Sequence, residues 1–352
     1  LIAALLSEIR LAGTGPGIGI NVMDNPGPIS TVYFGGGTPS ILNIHELELI
    51  FAALKERFDF SPSIEITLEA NPDDISDEKL LLWKSLGINR LSVGIQSFVD
   101  EELQWMNRAH NAAESLICID KIFNAGFDNF SVDLIYGSPL LTDDNWKKNV
   151  DQVIEKNIPH ISCYALTVEP KTALIKAIAQ KKKAPVDPEK QASQFLLLMD
   201  WMETAGYEHY EISNFAKPGS RSKHNSSYWK GAAYHGFGPS AHSFNGNNIR
   251  RWNISNNVVY IQSLQHNMIP FEEEILTTSQ KLNEYIMTSL RTMEGISMEY
   301  VSLNFGKEGS KGLTEAARKY EKTGKLIIEN HRIILTKEGK LFADGIAADL
   351  FI

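Results

Sequence analysis

A chain of 352 residues is long enough for about two domains of ~150 residues each, or for one large α/β domain with an appendage. Apolar residues at 43% and charged residues at 22% are ordinary for a globular protein, and the longest apolar runs, such as 195–199, fall far short of the ~18 residues of a membrane span. A net charge of −9 argues against nonspecific binding to nucleic acid or anionic membrane, while two cysteines, Cys118 and Cys163, cannot build a disulfide framework and suit a reducing cytosol.

The chain begins at Leu1 without a visible signal peptide, and 1–11 already reads as a helix, so a preceding segment is expected to be missing. Strands are expected at 31–34, 63–68, 90–95, 130–135, 161–166 and 207–212. Between them the spacing predicts helices at 44–58, from Asp77 onward with Ser76 as cap, at 100–106, 112–125 and 143–156, and at 188–205. The last follows a lysine-rich loop that holds Lys181 to Lys183, read as solvated. Alternation of this kind demands right-handed crossovers and a mostly parallel sheet, either doubly wound or closed toward a barrel. After Trp252 the rhythm stops. A helical stretch at 279–293 and a hairpin at 325–335 predict a winged-helix-like α+β unit, dividing the chain into 1–265 and 266–352. Its charge is nearly balanced, which makes it a packing or partner module rather than a DNA reader.

Polar residues recur at one end of successive strands. Gly35-Gly36-Gly37-Thr38 follows the first, Glu69 closes the second, Gln96 the third, and Asp133 sits in the fourth. The carboxyl ends of parallel strands form the site face of α/β folds, so these four positions are expected to share one site. Taken singly, each has a plainer reading: a tight turn, a salt-bridged strand end, a helix cap, or a buried acid paired with Arg108. The triple glycine is no P-loop, since no Gly-Lys-Ser/Thr follows it. The glycines at 13–19 follow no strand and are read as a loop. Gly238-x-Ser240-x-His242 lacks the closing glycine of a nucleophile elbow, and His235 and His242 have too few companions for zinc. His224, with Tyr228 and Trp229 beside it, offers an imidazole and flat aromatic surface for a planar macrocycle. Lys217, Arg221 and Lys223 nearby are candidates to pair with its carboxylates.

In order and spacing, Tyr33-Phe-Gly-Gly-Gly-Thr-Pro39, Glu69-Ala-Asn-Pro72, Val93-Gly-Ile-Gln-Ser97, Arg108 and Asp133-Leu-Ile-Tyr-Gly-Ser-Pro139 resemble the radical S-adenosylmethionine (SAM) enzymes related to oxygen-independent coproporphyrinogen III oxidase. His224-Asn-x-x-Tyr-Trp229 narrows the resemblance to the HemW-type heme-chaperone branch. The resemblance implies a partial (β/α)6, TIM-like barrel. It also implies that Gly36, Gly37 and Thr38 hold the methionyl amino end of SAM, that Glu69 faces the same ligand, and that Gln96, Arg108 and Asp133 complete the pocket, with Ala165 and His242 lining it. It implies a [4Fe–4S] cluster, SAM and heme as bound groups, and His224, Tyr228 and Trp229 as heme contacts. A heme-acceptor protein is the implied partner, in the cytoplasm. The family's C-x3-C-x2-C cluster motif is absent here, and it is expected in the missing segment. The leading expectation is a heme chaperone. The alternative is oxidative decarboxylation of coproporphyrinogen propionates, and the third is a cluster-free relative that only binds.

Overall fold

In the core strands apolar and polar residues alternate, and the computed structural model, which describes residues 1–12, 27–170 and 172–352, shows what the alternation builds. Strands β1 (Ile29–Phe34), β2 (Phe60–Ala70), β3 (Arg90–Gln96), β4 (Phe130–Tyr136), β5 (His160–Ala165), β6 (Glu208–Glu211) and β7 (Asn214–Ala216) form one sheet in the order β1-β2-β3-β4-β5-β7-β6. It curls into a half-barrel, the partial barrel that the resemblance implies. Strands β1 to β5 pair in parallel, whereas β7 is antiparallel to both its neighbours. That hairpin departs from the expected uniform βα rhythm. After Glu211 the chain turns at Ile212 and Ser213, and the Ser213 carbonyl accepts from Cys163 N–H at 2.7 Å, drawing the return strand in beside β5.

The apolar half of the alternation faces outward onto helices. Leu68, Leu91, Val93, Phe130, Val132, Leu134, Ile161 and Cys163 are buried there with Trp83, Ile119, Trp146 and Leu198 of the surrounding helices. Burying each large apolar side chain contributes about 1.5–3 kcal/mol, so this layer fixes the register of every strand. Both cysteines are free and buried, Cys118 and Cys163 alike within this core. The helices start where the sequence places their caps: Asn43 and Asn111 make full capping boxes, and Ser76 and Thr142 each accept a backbone N–H of the first turn. The lysine-rich stretch is preceded by a short helix, Ala173–Ala179, and Lys183 is not free in solvent, because its ammonium lies over the Trp105 ring at 4.4 Å.

A second sheet of β8 (His242–Phe244), β9 (Ile249–Asn253) and β10 (Phe271–Ile275) is antiparallel throughout. Helix Ile2–Leu11 is tied to it through buried Glu8, which accepts from Gly238 N–H at 2.8 Å and Asn253 Nδ2 at 2.6 Å. The remaining elements are helix Thr278–Leu290, β11 (Ile296–Ser297), helix Met298–Lys322 broken at Gly306 (φ 86°), and the hairpin β12 (Leu326–Glu329) with β13 (Arg332–Leu335). They form the winged-helix-like unit around their own core of Ile286, Val301, Leu313 and Ile333. It is joined to the half-barrel by backbone bonds from Ile212 N–H to Arg291 O and from Met293 N–H to Tyr210 O. No helix among the described residues is long and apolar enough to cross a membrane. The glycines at 13–19 lie outside the described residues.

Candidate functional site

The polar half of the alternation lines the concave face. Adjacent strands bring Thr31 beside Glu65, Tyr33 beside Thr67, Glu69 beside Ser92 and Asp133 beside Ser162. Near the carboxyl ends, the Tyr33 hydroxyl donates to Glu69 Oε1 at 2.8 Å. Gly35 permits that closeness, since a Cβ there would lie 2.6 Å from the Tyr33 ring and 2.9 Å from Glu69 Oε1. Gly36 (φ 75°) and Gly37 (φ 143°) then run through the left-handed region, with nothing within 4 Å of where a side chain would project. Their N–H and C=O groups make no backbone bond among the described residues. The result is an open ledge of unpaired backbone groups directly after the strand that carries Tyr33. Thr38 starts the short turn Pro39–Ile41, and Ser40 anchors it by donating to Asp74 at 2.7 Å.

Gln96 caps no helix. It has φ 69°, and the carbonyl of Ile95 accepts from Ser97 N–H at 2.9 Å, so Gln96 is the centre of a positive-φ γ-turn, a strained arrangement for a residue with a side chain. Arg108 Nη2 donates to Asn71 Oδ1 at 2.8 Å and to Gly94 O at 3.1 Å, while its Nε–H is buried without a partner. Gly94 is where these groups meet. A Cβ there would lie 3.0 Å from Gln96 Nε2 and 3.5 Å from Arg108 Nη2. An orphaned guanidinium N–H, an unpaired glycine ledge and the Glu69 carboxylate suit a zwitterionic ligand that carries both an ammonium and a carboxylate.

Asp133 accepts from Ser92 Oγ at 3.4 Å and forms no ion pair with Arg108 among the described residues. Burial pushes its carboxyl up to about 7; the Ser162 hydroxyl opposes the rise and the charge of Glu69 adds to it. Because the folded state then holds its proton more tightly than the unfolded state, stability falls as pH climbs from about 4 through 7. Asp133→Asn is therefore expected to stabilise the ligand-free protein by about 1–2 kcal/mol at pH 8 and to change little at pH 4. Urea unfolding at the two pH values checks this, and equal effects at both would contradict it.

His224 lies on helix Lys223–Trp229, whose first turn is bound to the sheet rather than free at the surface. Buried Glu65 of β2 accepts from His224 N–H at 2.9 Å, from Lys223 N–H at 3.1 Å and from Ser222 Oγ at 3.4 Å. The imidazole Nδ1 faces Thr31 Oγ1 at 2.9 Å, and the ring stacks on Tyr33 with centroids 4.7 Å apart. Burial holds the imidazole down to about 4, so it is neutral at pH 7. In the tautomer that donates Nδ1–H to the hydroxyl, Nε2 keeps its lone pair, and Nε2 has no partner among the described residues, which suits it to ligate iron. Tyr228 meets the ring edge-on at 4.9 Å and is 40% exposed, giving apolar surface beside the imidazole. Trp229 contributes differently: its Nε1 is buried without a partner, and the Arg291 guanidinium lies 5.5 Å from its ring.

Of the other sequence candidates, Ala165 ends β5 beside Tyr136, at the same carboxyl end of the sheet as Glu69 and Gln96, and packs partly against the apolar core. His242 begins β8, with the Trp252 ring 6.1 Å away, and makes no bond to the residues above. His235 stacks on Phe237. The three basic residues near His224 already have partners: Arg221 pairs with Glu208 and Glu294, Lys223 Nζ donates to Ser63 O, and Lys217 Nζ to Asn157. Sequence reasoning missed Thr31, Glu65 and the double role of Tyr33; its one available signal was the period-two polar pattern of Glu65, Thr67 and Glu69. No group of three potential metal ligands occurs among the described residues, and the two buried cysteines do not fit an iron–sulfur cluster.

Comparison with known proteins concerns the family and the fold. Residues 20–153 match the Radical SAM superfamily and residues 276–342 the HemN C-terminal domain. Heme chaperone HemW of Bacillus subtilis is 32% identical over 324 residues, covering 90% of this chain and 84% of that protein. Heme chaperone HemW of Mycobacterium tuberculosis H37Rv is 30% identical over 352 residues, covering 99% and 85%. The solved structure of coproporphyrinogen III oxidase (HemN) from Escherichia coli, a radical SAM enzyme, superposes with a TM-score of 0.81 over 99% of this chain and 82% of that one, at 22% identity. At that identity the likeness concerns the fold.

Proposed function

Because this chain belongs to the family of HemW heme chaperones, built from a radical SAM domain and a HemN C-terminal domain, we propose that it binds heme through His224 and passes it to an acceptor protein in the cytoplasm. The observation that carries the reading is the state of that imidazole. Its Nδ1 is held by Thr31 at 2.9 Å, its Nε2 has no partner among the described residues, burial favours its uncharged form, and the exposed Tyr228 ring stands beside it. Heme is cargo in this reading, held by one axial ligand and apolar cover.

SAM belongs at the carboxyl end of β1 to β4. Glu69 accepts its ammonium, Arg108 Nε–H donates to its carboxylate, and Gly36, Gly37 and Thr38 allow the chain to approach the methionyl end. Gln96 and Asp133 would complete the pocket around the ribose, with Ala165 and His242 lining it. When bound, SAM supplies a sulfonium that radical enzymes cleave with an electron from a cluster. The described residues include no group of three potential metal ligands to hold that cluster.

The oxidase alternative rests on the fold shared with HemN, whereas the unpartnered Nε2 of His224 favours heme as the bound group. Titrating the protein with heme is expected to give one heme per chain with an imidazole-type Soret band, and incubation with coproporphyrinogen III is expected to give no vinyl product. Catalytic decarboxylation without stoichiometric heme binding would contradict the chaperone reading.

A further inference from the structure

One side chain touches both halves of the site. Tyr33 donates its hydroxyl to Glu69 Oε1 at 2.8 Å and lays its ring on the His224 imidazole, with centroids 4.7 Å apart and planes 21° from parallel. Neither contact has much slack. On one side Gly35 lets Glu69 and the Tyr33 ring close together with no room for a Cβ. On the other, Thr31, two residues earlier on the same face of β1, holds Nδ1 of the imidazole at 2.9 Å. A tyrosine has only two side-chain torsions, so a shift at its hydroxyl moves the whole ring. Glu65, by contrast, holds the backbone of His224 and Lys223 and the Ser222 hydroxyl, not the imidazole.

We propose that Tyr33 is a positioning residue that ties the state of the Glu69 carboxylate to the orientation of the His224 imidazole, so that a cationic amine at Glu69 and heme at His224 bind interdependently. The geometry stands by itself; its consequence for heme rests on the function proposed above. An ammonium group on Glu69 orders the carboxylate, then the phenol, then the imidazole, and heme binding afterwards loses less freedom. The sign of the coupling is therefore positive. By linkage, heme tightens the amine ligand by the same factor.

The test is a double-mutant cycle on the full chain with Tyr33→Phe, Glu69→Gln and the pair. Tyr33→Phe keeps the ring and loses the hydroxyl, and Glu69→Gln keeps the shape and loses the charge. Two readouts are needed. The first, without heme, is the NMR shift of the His224 ring protons, which the overlying Tyr33 ring sets. The second is heme affinity by titration. Each single substitution is expected to move the His224 signals and to weaken heme binding on the order of three- to tenfold, with the pair no worse than either single. Effects that add in the pair, or His224 signals that stay put in Glu69→Gln, would overturn the proposal. If Tyr33→Phe fails to fold, Glu69→Asp reads the link from the other end by withdrawing the carboxylate one methylene, and unmoved His224 signals there would overturn the proposal equally. Should His224→Ala bind heme like the wild type, the heme reading falls while the NMR cycle still decides the role of Tyr33.

Discussion

Replacing Glu65 by alanine is expected to cost about 2–4 kcal/mol of stability and to weaken heme binding by roughly tenfold or more. Glu65 is 3% exposed and accepts three hydrogen bonds at the start of the His224 helix. Removing it leaves the amides of Lys223 and His224 without an acceptor where the seven-residue helix has little else to hold its first turn. It also removes a negative charge near Arg90, a buried guanidinium that donates to Asn129. Breaking a buried charge arrangement from one side costs more than the bond itself is worth. Glu65→Gln keeps the volume and one acceptor oxygen, and it is expected to recover about half of both losses. Chemical denaturation and heme titration of the two variants check this. Stability within about 0.5 kcal/mol of the wild type in Glu65→Ala would show that the helix is held by something else.

Long, strongly patterned elements were legible in the sequence because local chemistry alone specifies them. The capping boxes at Asn43 and Asn111 mark helix starts, and the alternation in Arg90-Leu-Ser-Val-Gly-Ile95 marks a strand with one apolar face. Elements held by distant partners were not legible. β7 has three residues, too few to show a period, and exists because β5 and β6 flank it. β10 contains Glu272, Glu273 and Glu274, which reads as a solvated charge run. Its stability comes from across the sheet, where Trp252 donates to Glu272, Arg251 pairs with Glu273 and Arg250 with Glu274.

The site divides in the same way. Glu69 and Gln96 stand out as polar groups at strand ends and Asp133 as an acid inside an apolar strand, patterns confined to short stretches of chain. Thr31, Tyr33 and Glu65 matter through contacts with His224 that span 159 to 193 residues, and nothing local announces them. The positive φ of Gln96 was equally invisible, since glutamine carries no preference for a γ-turn.

His224→Ala carries the other large effect. It removes the proposed iron ligand and leaves the Glu65 cap intact, because that cap is made to backbone N–H groups that alanine keeps. The fold is therefore expected to survive while heme binding weakens by about tenfold or more and the imidazole-type Soret band is lost. His235→Ala is the matched control. Its imidazole is also held down to about 4 by burial, yet it stacks on Phe237 and has no strand hydroxyl on its ring. The most direct test of heme ligation by this chain is thus a side-by-side heme titration of wild type, His224→Ala and His235→Ala at pH 7. The account predicts a wild-type spectrum and affinity in His235→Ala and their loss in His224→Ala; an unaltered Soret band and affinity in His224→Ala would contradict it.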